Sequence, residues 1–485
     1  MYQSKLISIL RTLTNKELKR FESYIISPFF NNNVKVTELF HIVRKYHPEY
    51  PEEKVEMAAI FPKLFPGQKL EEQKLRYVMS DLTSLLEDCL SYLEFDKNDI
   101  FKKHLLLNSY DNRNLDKYFV SAIEDAREIQ QENPYRDVNY FFNQHLIEEN
   151  AYLHSLARKP RSISSSLQEA VDNLDYYYLS NRLRFSCAIL SRETLLQEKY
   201  NNLFLGQILE FLSINNLDHV PSVSIYRQIA LTYLDSEDEN HYRKLTELLD
   251  SHWKQFPNEE ANDMYTHALN YCLRKLNAGK EEFLPELMGL YKQLISKEIM
   301  FENSWLTPQD VKNIVTAALR AGETEWAEHF LHEYKDRINP EFRESAYVYN
   351  MANVLYHRKE FGKALKLMQA VEINDIYYHL GAKVLLLKTY FELNETEPFF
   401  SLVDAFTNYL KRNKLISESQ RTVHLNFVKY TKKLMHLRQG GRISPDEIRE
   451  ELHHLNSIAN LPWLFEKLDE IEGVRGQESG IRGKA

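Results

Sequence analysis

Nearly every stretch of this chain repeats its apolar residues at three- to four-residue intervals, and no convincing run alternates apolar with polar. The first pattern lays an apolar stripe along a helix; the second is what a half-buried strand requires. The chain is therefore expected to be all-α. Thirteen Gly and fifteen Pro in 485 residues agree, because strand-rich and loop-rich folds use those residues at their turns. A chain this long exceeds one compact core, so several domains or an extended helical array are expected. With 43% hydrophobic and 27% charged residues it falls in the globular class.

Residues 1–97 read as a compact bundle of about five helices with no repeat period. "LTNKELKRFESYI" opens with a capping box, Thr14 followed by Glu17. Pro28 ends that helix and Pro51 opens another. From residue 98 the helices become more regular. "RSISSS" at 161–166 reads as a short connection within that region, and residues 474–485 as a loose polar tail.

The stretch "NMANVLYHRKEFGKALKLMQ" sets small residues, Ala352 and Ala364, among larger apolar ones. Counted from Ser345, they fall at positions 8 and 20, with Leu355, Phe361, Met368 and Val371 at 11, 17, 24 and 27. Two helices can cross closely only where side chains are small. Upstream, Ala318, Ala327 and Leu331 take positions 11, 20 and 24; downstream, Tyr390, Phe399 and Val403 do. The position-20 residues 327, 364 and 399 are 37 and then 35 residues apart. The pattern resembles the tetratricopeptide repeat, clearly over about 308–412 and loosely over 220–300. The resemblance implies that residues 98–473 form an α-solenoid, a superhelix of antiparallel helix pairs.

It also implies a groove lined by the first helix of each pair. Positions that hold ligand in that family fall here on Lys312, Thr316 and Arg320, then Tyr349, Asn353, Tyr356 and His357, then Lys388 and Phe391. Their basic and aromatic character suits a protein or peptide segment carrying carboxylates. The family's carboxylate-binding version has Lys where this chain has Tyr349, so a clamp for a terminal carboxylate is not expected.

Signs of chemistry are sparse. There is no GxGxxG, no GxxxxGK[ST], no HExxH and no CxxC. "DSEDEN" at 235–240 lacks the glycine and distal glutamate of a calcium loop and reads as a solvated turn. His329 and His332 stand one turn apart without a third ligand, and His453 and His454 point to different sides of a helix. No cofactor, no metal and no enzymatic activity are expected. A net charge of −9 argues against general nucleic-acid binding, although "KELKR" at 16–20 and "TKKLMHLRQGGR" at 431–442 are locally basic. The aromatic runs "LDYYYLSNRLRF" and "NYFFNQH" read as helix packing. No membrane span is seen. Cys89, Cys187 and Cys272 are far apart and odd in number, which fits buried thiols in a cytoplasmic protein. The expected function is that of a non-catalytic adaptor or scaffold. One alternative is a regulator whose N-terminal bundle contacts DNA or the transcription machinery while the array senses a peptide. A second is an enzyme with a site between helices.

Overall fold

The computed structural model describes residues 1–158, 164–196, 199–370, 376–414, 416–441, 443–455 and 457–482. Residues 161–163 of "RSISSS", Val371 and Arg442 lie outside them. The protein is all-α, with successive helices packed on their chain neighbours. Among the described residues there is no strand beyond two isolated bridges, Glu302–Trp305 and Leu306–Ile338. No described helix is long and apolar enough to cross a membrane. The chain divides into two compact units, residues 1–185 with 211–223, and residues 186–210 with 224–485.

In the first unit, one apolar core joins the helices between Leu6 and Leu93, with Phe21 and Phe40 edge to face at 5.0 Å at its centre. The capping box closes as the sequence predicts. The Thr14 hydroxyl accepts from Glu17 N at 3.2 Å, and Glu17 Oε2 accepts from Thr14 N at 2.8 Å, which satisfies two otherwise orphaned N–H groups. That helix, Asn15–Ile26, stops two residues before Pro28. A second core joins the Asp99–Asp111, Asp116–Glu132 and Val138–Arg158 helices through Leu107, Phe119, Ile123 and Ile147. The unit also includes residues 166–185 of the Ser166–Leu196 helix.

In the second unit three helix pairs follow one another: Pro308–Arg320 with Thr324–Tyr334, Arg343–His357 with Phe361–Gln369, and Ile376–Leu393 with Thr396–Arg412. Their turns share one geometry. Gly322, Lys359 and Asn394 all have positive φ, 74°, 61° and 57°. The next residue, Glu323, Glu360 or Glu395, donates its N–H five residues back, to Ala318, Leu355 or Tyr390. This left-handed helix ending satisfies carbonyls that would otherwise be orphaned and sends the second helix back along the first. Only the first turn has the glycine that conformation favours. Ala318, Ala327, Ala352 and Ala364 are all fully buried, as close helix approach requires. Phe399 is buried too, at a place where the other two pairs have alanine. The first helices of successive pairs also pack on one another. Beyond them stand Glu418–Arg438, Pro445–His453 and Leu461–Arg482. The expected tail from 474 is helical backbone as far as Arg482, and 483–485 lie outside the described residues.

Candidate binding groove in the second unit

The first helices of the three pairs wall a cleft of about 1360 Å³. The N-terminal turns of Glu418–Arg438 and Leu461–Arg482 complete it with Gln420, His424, Trp463, Glu466 and Lys467. Lys312, Thr316, Arg320, Tyr349, Asn353, Tyr356, His357 and Lys388 all line it. Phe391 does not. It is 2% exposed and sits in the core, edge to face with the Trp463 ring at 5.4 Å. The helix carrying it packs on both sides, so the groove-facing stripe is narrower here than the repeat register implies.

The floor is built around Glu392. Its Oε1 accepts from Tyr356 Oη at 2.9 Å and Trp463 Nε1 at 3.2 Å, and pairs with Lys467 Nζ at 3.0 Å. Lys467 also pairs with Glu466 and Glu470. Burial alone would weaken its charge, but these three carboxylates outweigh burial and hold its pKa above that of ordinary lysine.

Lys388 lies in the same floor on other terms. Its ammonium sits over the Tyr356 ring, 4.6 Å from the centroid, and 5.5 Å from that of Trp463. Among the described residues no carboxylate or hydrogen-bond acceptor lies within bonding distance of it. Burial pushes its pKa down to about 8, against a partial restoring pull from Glu392 and Glu466. Burial also lowers His357 and His424, with Lys388 and Lys312 respectively adding to the effect. At neutral pH this part of the cleft is a cation beside two neutral imidazoles.

The wall is shaped by Gly381. Tyr349, stacked at a tilt on Tyr378 with centroids 5.0 Å apart, fills the space beside it: a β-carbon on Gly381 would lie 2.6 Å from Tyr349 Oη. At the mouth, Arg320 pairs with Glu281 at 2.6 Å.

The other sequence candidates take structural roles. His329 pairs with Glu333, and His332 bonds the Tyr347 hydroxyl. His453 packs at a tilt on the Phe465 ring, with centroids 4.9 Å apart. In the acidic turn Asp235, Asp238 and His241 approach one another within 4.8 Å, and Asp238 caps the Glu239–His252 helix by accepting from Asn240 N. In the basic runs Arg20 pairs with Asp96, Lys433 with Glu451, and Arg438 donates to Phe391 O. All three cysteines are free and buried.

Sequence reasoning missed Glu392, Trp463, Lys467, His424 and Gly381. Only Glu392 carried a local signal, lying one residue beyond an expected groove position. Trp463 reaches Tyr356 across 107 residues of chain, and no spacing rule spans that distance. Comparison with protein-family models, with curated proteins and with solved structures gave no match.

Proposed function

We propose that this chain is a non-catalytic, cytoplasmic adaptor whose second unit binds an acidic protein segment in the 1360 Å³ cleft. The observation that carries this reading is Lys388. An ammonium held among aromatic rings without a carboxylate of its own is poorly solvated, and a ligand carboxylate would supply the missing counter-charge. The neighbouring Lys467 shows what a satisfied lysine in this floor looks like. Two further features support the reading: the sequence resemblance to tetratricopeptide repeats, and a preformed concave surface that mixes apolar, aromatic and basic groups. A cleft of this volume can hold several residues of an extended or helical segment.

The test uses the full chain and three labelled peptides of matched length and apolar content, one acidic, one neutral and one basic. Fluorescence anisotropy should show the acidic peptide binding at least tenfold more tightly than the neutral one, and Lys388→Met should remove most of that preference. Equal binding of all three peptides would overturn the acidic-segment reading.

A further inference from the structure

The Ser166–Leu196 helix is apolar on two sides. One side is used: Leu179 and Leu183 are buried within the first unit. On the other, Leu167, Val171, Leu174, Tyr178 and Phe185 are 43–57% exposed. With Asn181, they stand at successive spacings of four and three residues. That is the a/d seam of a heptad repeat, a pattern that meets a second helix and little else. A helix apolar on both sides is normally covered on both, and contiguous exposed patches of this size mark interaction sites.

We infer that this seam is a homodimer interface, in which the same helix of a second copy packs antiparallel against it. Three observations favour a second copy in that orientation. First, charge divides along the seam. Asp175 flanks its first half, Arg182 and Arg184 its second. An antiparallel pair sets unlike halves side by side, whereas a parallel pair sets like against like. Secondly, the seam reads the same in both directions about Tyr176. Leu167 meets Phe185 of the second copy, Val171 meets Asn181, and Leu174 meets Tyr178, which is the self-complementarity a twofold contact needs. Asn181 brings no unsatisfied oxygen to it, because Arg184 Nη2 already donates to Asn181 Oδ1 at 3.0 Å. Thirdly, the area suffices. Five half-exposed large side chains present roughly 400–500 Å² per copy, so two copies with their flanks reach the ~1,000 Å² of a specific interface. Phe142, 39% exposed, extends the apolar surface through its ring contact with Tyr177 at 5.1 Å.

Sedimentation of the full chain at 1–100 µM tests the inference. Wild type should approach twice the chain mass at the upper end, and Leu174→Glu/Tyr178→Glu should remain at the chain mass with an unchanged circular dichroism spectrum. Both substituted positions are exposed, so the fold tolerates them. Orientation is read by cross-linking. Leu167→Cys protein mixed with Phe185→Cys protein should form a disulfide-linked dimer that neither forms alone; the native cysteines, buried, do not compete. A wild-type monomer at 100 µM, or a dimer that survives the double substitution, overturns the interface. Self-cross-linking of Val171→Cys, with none in the 167/185 mixture, overturns the antiparallel arrangement.

Discussion

The hydroxyl of Tyr349 stands where a side chain on Gly381 would begin, 2.6 Å from the position of that β-carbon, and its ring carbons Cζ and Cε2 lie at 3.0 and 3.1 Å. Tyr349 is buried and braced by Tyr378, so it cannot simply swing away. Gly381→Ala should therefore cost about 1–3 kcal/mol, the usual penalty of an overpacked contact. Combined with Tyr349→Ala, the loss should fall short of the sum of the two single losses by ~1 kcal/mol or more. Urea denaturation of the four proteins measures this, and strict additivity would show that the two residues do not compete for space.

Lys388 titrates in the folded protein near pH 8 because it is buried. Below that pH the folded state must hold an ammonium it solvates poorly; as pH climbs toward the ordinary lysine value, the folded state sheds the proton and the handicap lifts. Lys388→Met should thus be more stable than wild type at pH 7, by on the order of 1–3 kcal/mol. The gap should narrow between pH 8 and 10.5. A constant gap across that window would rule out the buried ammonium as its cause. Acidic-peptide affinity of wild type should fall over the same rise in pH.

His267 behaves in the same sense in a more acidic window. Burial, with Arg274 adding to it, brings its pKa down to about 4, and its Nδ1 is hydrogen-bonded to the Tyr233 hydroxyl at 2.9 Å. The unfolded chain takes up the proton first, so stability is complete above about pH 6.5 and is lost as pH falls toward 4. His267→Gln should lose less stability than wild type between pH 7 and 4.5, by about 1–3 kcal/mol. Parallel denaturation curves at both pH values check it.

In the first unit, Glu148 is 1% exposed and receives both oxygens' worth of donors from Arg127, Nε at 2.9 Å and Nη2 at 2.6 Å. Arg127→Met leaves a buried carboxylate without its partner and should cost about 3–5 kcal/mol. Arg127→Met/Glu148→Leu removes both charges and should recover most of that loss. If the double variant is as unstable as the single one, the pair matters through packing and not through charge.

The position shared by Ala327, Ala364 and Phe399 gives a reciprocal pair of experiments. All three are fully buried. Ala364→Phe should be destabilising through overpacking, and Phe399→Ala should cost about 3–5 kcal/mol through the cavity it leaves. Thermal unfolding would reveal a mistaken register if either change were neutral.

What the sequence disclosed, and what it withheld, follows the range of each interaction. Thr14 and Glu17 are three residues apart, so their capping box could be read directly. Ala352 and Ala364 were legible because a helix crossing leaves its mark on both partners within one repeat. Phe399 was visible as a departure from the small-residue pattern, but not how its pair makes room for it. The groove emerged for eight residues because they share first helices, whose facing stripe is periodic. It failed at Phe391 because Trp463, from a helix far along the chain, turns that part of the stripe into core. Lys388 could be named, yet its lack of a carboxylate could not. That depends on Glu392 being engaged by Lys467, Tyr356 and Trp463, an allocation no local pattern records.

The first unit is completed by residues 211–223, which follow a segment, 186–210, assigned to the second. The Ser180 hydroxyl bonds that of Ser222 at 2.7 Å, and Tyr176 meets His219 across a ring contact of 5.7 Å. During synthesis, therefore, the first unit cannot finish until residue 223 has left the ribosome, by which time the opening of the second has already emerged. A gene fragment cut at residue 185 would express an unfinished object, and shuffling either unit into another protein would require moving two pieces of chain at once.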